Sequence, residues 1–426
     1  MKRSSVVVGL VLLACCGWII QASAGAVQAG KPQDGFLQAS PADIEWFREA
    51  RFGMFIHWGP VSQIGAEISW SRLGPGIEPP RKKRVVPWEE YDSLYKTFNP
   101  TAFDAKKWVR IAKSAGMKYL VFTTKHHDGF CMFDTKTTDY KITNSPFKRD
   151  IVAEIAKACH EEGIKLGFYY SPPDWHHPDY MTENHARYLE YMRAQIRELM
   201  TNYGKVDIIW FDGLGGSTAE RWDTENLFKM VRKLQPGILI NNRAGLPADF
   251  DTPEQKIGSF QADRPWESCI TIGTQWAYKP NEVVKSTKTC IQTLVRCAGG
   301  DGNLLLNVGP NPRGEIDPVQ VERLMEIGKW LKSYGKSIYG TRGGPYLPSD
   351  WGVSTHAGKK IYLHVLDWKS DALKLPAIPR KVVKCYALTG GKPEMIQSAD
   401  GIQIMMRKEK RDSTDTIIVL QLDAEP

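Results

Sequence analysis

The chain has 426 residues, 42% of them apolar and 24% charged, which is long for one small module and comfortable for a barrel with a smaller partner. Its 56 basic and 48 acidic residues leave +8, spread along the chain, so no nucleic-acid partner is expected. The one dense basic run, Arg81-Lys-Lys-Arg84 in the Pro/Gly-rich stretch 74–87, reads as a solvated loop.

The N-terminus reads as an export signal: Lys2-Arg3, an apolar core over 6–20, then Ala22-Ser-Ala24, with cleavage expected after Ala24 (residues 1–24). Leu12-Leu-Ala-Cys15 weakly resembles a lipoprotein processing site, but Trp18-Ile-Ile20 carries the apolar core beyond it. The expected destination is the periplasm or the outside of the cell, or a lysosomal-type compartment in a eukaryote. No later segment has the roughly 20 apolar residues of a membrane span. Past the leader come Cys131, Cys159, Cys269, Cys290, Cys297 and Cys385. None makes a Cys-x-x-Cys pair, which argues against a zinc ribbon or a thioredoxin site, and they are expected to be free buried thiols.

From 40 to 340, short apolar strands alternate with amphipathic helices. Strands are predicted at 52–57, 119–124, 166–170, 208–211, 238–241 and 304–308, with helices near 104–115, 149–163, 182–203, 222–234, 282–298 and 317–334. Repeated βα units over this length predict an α/β fold, a closed (β/α) TIM-like barrel. Gly59-Pro60 after the first strand is no phosphate-binding turn, so no dinucleotide cofactor is expected. Beyond 341, runs such as Lys360-Ile-Tyr-Leu-His-Val and Asp415-Thr-Ile-Ile-Val-Leu predict a small C-terminal antiparallel β-sandwich over 341–426.

In such a barrel the chemistry gathers at the C-terminal strand ends. Polar residues there are His57, the pair His126-His127, Tyr169, Asp212 and Arg243. Asp212 follows Ile208-Ile-Trp-Phe211 and precedes Gly213; a second acid, Glu267, is flanked by Trp266. Two carboxylates near aromatic rings and histidines suggest cleavage of a sugar. His126-His127 has no His-x-x-x-His or Glu-x-x-His companion, and adjacent strand positions face opposite ways. No metal is expected there, and sugar hydroxyls suit these histidines better. Trp70, Trp210 and Trp266 belong either to the core or to a pocket wall that stacks on sugar. His176-His177 reads as an exposed loop.

Together these segments resemble glycoside hydrolase family 29, the α-L-fucosidases. The resemblance rests on Arg51-Phe-Gly-Met-Phe-Ile-His-Trp-Gly59, Phe98-Asn-Pro-Thr-Ala-Phe-Asp104, Lys125-His-His-Asp-Gly-Phe130, Gly167-Phe-Tyr-Tyr-Ser171, Ile209-Trp-Phe-Asp-Gly213 and Gly302-Asn-Leu-Leu-Leu-Asn-Val-Gly-Pro310. It implies a retaining exo-hydrolase that needs no cofactor and removes terminal α-L-fucose from fucosylated glycans. Asp212 matches the nucleophile. Glu267 matches the general acid/base of one part of the family, held protonated by Trp266 and a neighbouring charge. His57, Trp70, His126, His127, Tyr169, Trp210 and Arg243 are implied to contact the sugar. The family's Glu-Trp pair reads Ser69-Trp70 here, so a sugar-binding carboxylate is either missing or supplied by Glu67. Two other readings are a fucose-binding, lectin-like barrel without catalysis and a hydrolase for α-L-galactose.

Overall fold

The computed structural model describes residues 36–74 and 85–426, which form one compact unit. The leader, Cys15 and the basic run at 81–84 lie outside the described residues. Seven parallel strands make the main sheet: β1 (Phe52–Ile56), β2 (Tyr119–Lys125), β3 (Lys165–Tyr170), β4 (Ile208–Phe211), β5 (Leu239–Ile240), β6 (Glu267–Thr271) and β7 (Asn303–Val308). Their order is β5-β4-β3-β2-β1-β7-β6. An unbroken closed barrel was the expectation, and the structure differs in one place. No regular strand closes the gap between β5 and β6. A loop does so through single bridges, Asn241 to Phe250, Asp251 to Trp266 and Glu254 to Cys269. The result is a curled, TIM-like half-barrel.

β6 is the strand that apolar patterning does not reveal, because it opens with Glu267 and Ser268. Both are buried, and hydrogen bonds rather than apolar character make that burial tolerable. Elsewhere the two-residue period sorts side chains cleanly. Phe55, Tyr119, Val121, Tyr169, Ile208, Trp210, Cys269 and Leu305 share one inner cluster. The alternate positions, among them Leu120, Phe122, Phe168, Ile209 and Leu304, join the larger core beneath the helices.

Those helices are α1 (Pro41–Ala50), α2 (Ala105–Ser114), α3 (Ile151–Glu162), α4 (His185–Asn202), α5 (Thr224–Leu234), α6 (Thr287–Gly299) and α7 (Pro318–Tyr334). α2 shows the local logic. The Asp104 side chain accepts from the Lys107 amide at its start, and Trp108, Val109 and Ala112 form its buried face. Among the described residues no helix is long and apolar enough to cross a membrane.

The strands that follow the barrel are antiparallel: β8 (Gly352–Ala357), β9 (Lys360–Val365), β10 (Ala372–Leu375), β11 (Val382–Ala387), β12 (Glu394–Ser398), β13 (Gly401–Met405) and β14 (Thr416–Leu422). One sheet runs from Arg342–Gly343 through β8-β9-β14-β11 and the other is β10-β13-β12. Ile361, Leu363, Ile418 and Leu420 pack with Leu373, Leu375, Ile402 and Ile404 between them. Asp301, just before β7, ties this part to the barrel. It takes Arg51 at 2.5 Å and the Gly343 amide at 3.0 Å, and also Arg342. Arg51 is fully buried, so its charge depends on that carboxylate.

Candidate active site

Asp212 follows β4 directly, and Gly213 turns the chain away with φ +76°. Its Oδ2 accepts the Tyr169 hydroxyl at 2.7 Å, and its Oδ1 accepts Arg243 at 2.9 Å. Burial pushes the Asp212 pKa up, but His127, Arg243 and the Tyr169 hydroxyl bring it below its ordinary value. His127 is itself driven down to about 4 by burial, against the pull of Asp212. It is therefore neutral at neutral pH, where its help to Asp212 is lost, and Arg243 is the charge that remains to keep Asp212 ionised.

A stacked wall stands beside this acid. His126 lies parallel to Tyr169 at 5.3 Å, Tyr169 to Trp210 at 5.6 Å, and the Arg243 guanidinium covers Trp210 at 4.6 Å. His57, also pushed down to about 4 by burial, completes the inner face with Phe55 and Trp276. The pocket holds about 260 Å³, just below the roughly 300–1,000 Å³ typical of sites for drug-sized ligands. It suits one sugar ring. Trp70, 38% exposed, and Trp175 meet edge to face at 5.2 Å at the rim.

Of the residues singled out in the sequence, His57, Trp70, His126, His127, Tyr169, Trp210, Asp212 and Arg243 all line this pocket. The two adjacent histidines share it because β2 ends at Lys125. Beyond that point the alternation of a strand no longer holds, and their rings lie 4.2 Å apart.

Glu267 does not line the pocket. It opens β6 and so sits at the strand end away from the mouth, wholly buried, with one oxygen taken by Tyr119 and the other by Trp210 at 3.1 Å. Trp266, whose indole donates to Gly300 at 3.1 Å, faces elsewhere. A carboxyl so enclosed does not face the pocket, so the geometry gives its expected role as acid/base no support. The second acid on the pocket wall, beside Asp212, is Glu254, which accepts from Arg243 at 2.8 Å. The sequence carried a signal for it: the loop after the fifth predicted strand must pass the mouth, and Thr252-Pro253-Glu254 lies in that loop. Trp175 and Trp276 were likewise not singled out. Glu67 supplies no sugar-facing carboxylate. It is 2% exposed, and it accepts the amides of Trp276 and Ala277 at 3.1 and 3.0 Å. Ser69 holds His126 Nδ1 at 2.6 Å instead.

Burial raises the Glu267 pKa to about 7, although Tyr119, Trp210 and Arg243 all act to lower it. The consequence is a stability that falls as pH rises. Below about 4.5 folded and unfolded chains both hold this proton, whereas between about 4.5 and 7 the unfolded chain releases it first. His57 and His127, both depressed by burial, act in the opposite sense over much of this window, so the measurable quantity is the difference between enzymes. Thermal denaturation is expected to show wild type losing on the order of 3 kcal/mol relative to Glu267→Gln between about pH 4.5 and 7.

Donor atoms of His126, His127 and Asp212 lie within 4.8 Å of one another, which is close enough for a cation. Both Asp212 oxygens already have donors, however, and the Arg243 charge stands between Asp212 and the Glu254 carboxylate. The arrangement is better matched to neutral hydroxyls than to a metal ion.

A family model described as Alpha-L-fucosidase matches residues 21–336. The chain belongs to the α-L-fucosidase family. Its architecture agrees with that of α-L-fucosidase isoenzyme 1 from Paenibacillus thiaminolyticus, with a TM-score of 0.80 and 38% identity over 89% of this chain and 99% of that one. It agrees equally with a family 29 α-L-fucosidase from Bacteroides thetaiotaomicron, described as a trapped covalent intermediate with 2-fluoro-fucosyl fluoride. There the TM-score is 0.80 and the identity 30%, over 91% of this chain and 97% of that one. The human plasma alpha-L-fucosidase is 28% identical over 370 residues, 79% of each chain. As a member of glycoside hydrolase family 29 the protein is a hydrolase of fucosylated glycans, and the pocket lies at the C-terminal ends of the parallel strands, where barrel enzymes gather their chemistry.

Proposed function

We propose that this protein is an exported, exo-acting, retaining α-L-fucosidase in which Asp212 is the nucleophile and Glu254 the general acid/base. The observation that carries this reading is the bridge made by Arg243. One guanidinium nitrogen holds Asp212 at 2.9 Å and Glu254 at 2.8 Å. The nearest oxygens of the two carboxylates are thus no farther apart than the sum of those distances. That is short of the roughly 6.5–9.5 Å that leaves room for water in an inverting enzyme.

In the first step the C–O bond between fucose and its leaving group breaks, and Glu254 gives its proton to the departing oxygen. Asp212 captures the anomeric carbon from the opposite face. In the second step Glu254 takes a proton from water, whose oxygen displaces Asp212. Arg243 and Tyr169 steady the carboxylate that leaves. The covalent intermediate named for the Bacteroides relative supports this sequence. The single-ring pocket supports exo action, and the leader read at 1–24 supports export.

The test is hydrolysis of an aryl α-L-fucoside beside a panel of other aryl glycosides, including the α-L-galactoside. Turnover is expected for the fucoside, and preferential turnover of another glycoside would refute the assignment.

A further inference from the structure

Two pocket histidines have their hydrogens fixed from behind. The Oγ of Ser171, a fully buried residue, lies 2.6 Å from the Pro173 carbonyl and 2.6 Å from His127 Nδ1. A carbonyl can only accept, so the hydroxyl proton points to Pro173. The contact with His127 is then made by an oxygen lone pair, and Nδ1 must carry the ring's hydrogen. With the hydroxyl turned the other way, two oxygens would face each other at 2.6 Å with no hydrogen between them.

His57 follows the same logic. Its Nδ1 lies 2.6 Å from Asn307 Oδ1, and Asn307 Nδ2 donates to the Trp276 carbonyl at 2.7 Å. That donation fixes the amide, so Oδ1 accepts and Nδ1–H donates. Both rings are neutral at neutral pH and hold a single hydrogen each. The second nitrogen of each, Nε2, is therefore a bare lone pair. His127 Nε2 stands 3.5 Å from Asp212 Oδ2, one acceptor facing another.

We propose that Ser171 and Asn307 are positioning residues that lock His127 and His57 as hydrogen-bond acceptors, so that the pocket selects a sugar whose hydroxyls donate at both places. For His127 the lock also protects the nucleophile. The opposite tautomer would aim Nε2–H at Asp212 and tie up the lone pair that attacks carbon. With the hydrogen held on Nδ1, the sugar hydroxyl bound beside Asp212 donates a hydrogen bond to the imidazole instead. The choice of sugar rests on the fucosidase reading; the tautomer does not.

The test is long-range proton–nitrogen NMR of the full-length enzyme labelled with 15N-histidine at neutral pH, with peaks assigned by single His→Asn variants. In the wild type, His127 and His57 are expected to carry hydrogen on Nδ1 alone. In Ser171→Ala the His127 hydrogen is expected to move to Nε2. On an aryl α-L-fucoside kcat should then fall roughly 10- to 100-fold, the scale of one buried hydrogen bond misplaced, while KM changes by less than about three-fold. Hydrogen on Nε2 in the wild type, or an imidazolium there, overturns the proposal. So does a Ser171→Ala enzyme whose whole loss lies in KM. If Ser171→Ala fails to fold, the wild-type spectrum decides alone. Because that spectrum needs no turnover, its outcome is separate from that of the aryl fucoside assay.

Discussion

Replacing Asp212 by Gly is expected to lower turnover of an aryl α-L-fucoside by roughly ten-thousand-fold or more, the scale seen when a covalent nucleophile is removed. The fold should survive, because Asp212 follows β4 rather than packing within it, and a fifth of its side chain is exposed. The loss should be chemical and not one of affinity. Tyr169, Trp210 and both histidine acceptors remain on the wall, so KM moves little while kcat collapses. Azide fits the space that the carboxylate leaves and meets Arg243, the cation that had faced Asp212 at 2.9 Å. It should restore part of the rate and yield the β-configured fucosyl azide. Steady-state kinetics with and without azide check the prediction.

Glu254→Ala is expected to behave differently, and Glu267→Gln differently again. Without its proton donor the enzyme should lose about 10²- to 10⁴-fold on substrates with poor leaving groups. With an activated aryl leaving group the first step needs little protonation, so the loss there should be much smaller and the covalent intermediate should accumulate. Glu267→Gln keeps the shape of the side chain and a group for Tyr119 and Trp210 to meet. Its activity should stay within about ten-fold of wild type, since the change leaves every pocket contact in place. A plot of log kcat/KM against leaving-group pKa for the three enzymes separates the roles. A steep slope for Glu254→Ala alone is the expected result, and a steep slope for Glu267→Gln would restore the reading made from sequence.

Much of this site was legible in the sequence because strand ends are easy to find. Asp212, Tyr169, His57 and Arg243 each follow or close a short apolar run, and a parallel α/β arrangement then brings them to one mouth. The second acid was not legible by that route. Glu267 stands beside an apolar run as Asp212 does, but at the start of β6 rather than past its end, and sequence texture does not give a strand's direction relative to an acid when its own first residues are polar. Glu254 lies in the loop that stands in for a strand and is held by single bridges, so no periodicity marks it. The histidine pair misled in a smaller way. Strand alternation ends at Lys125, and His126 and His127 stand one and two residues beyond it, where the backbone has left the sheet.

If Asp212 attacks one face of the sugar while Glu254 serves the other, the anomeric configuration of the azide products reports it most directly. Asp212→Gly should release β-fucosyl azide, from a single displacement. Glu254→Ala should release α-fucosyl azide, formed when azide displaces Asp212 from the covalent intermediate. The same anomer from both variants, or azide rescue of a crippled Glu267 variant in place of Glu254→Ala, would contradict the assignment.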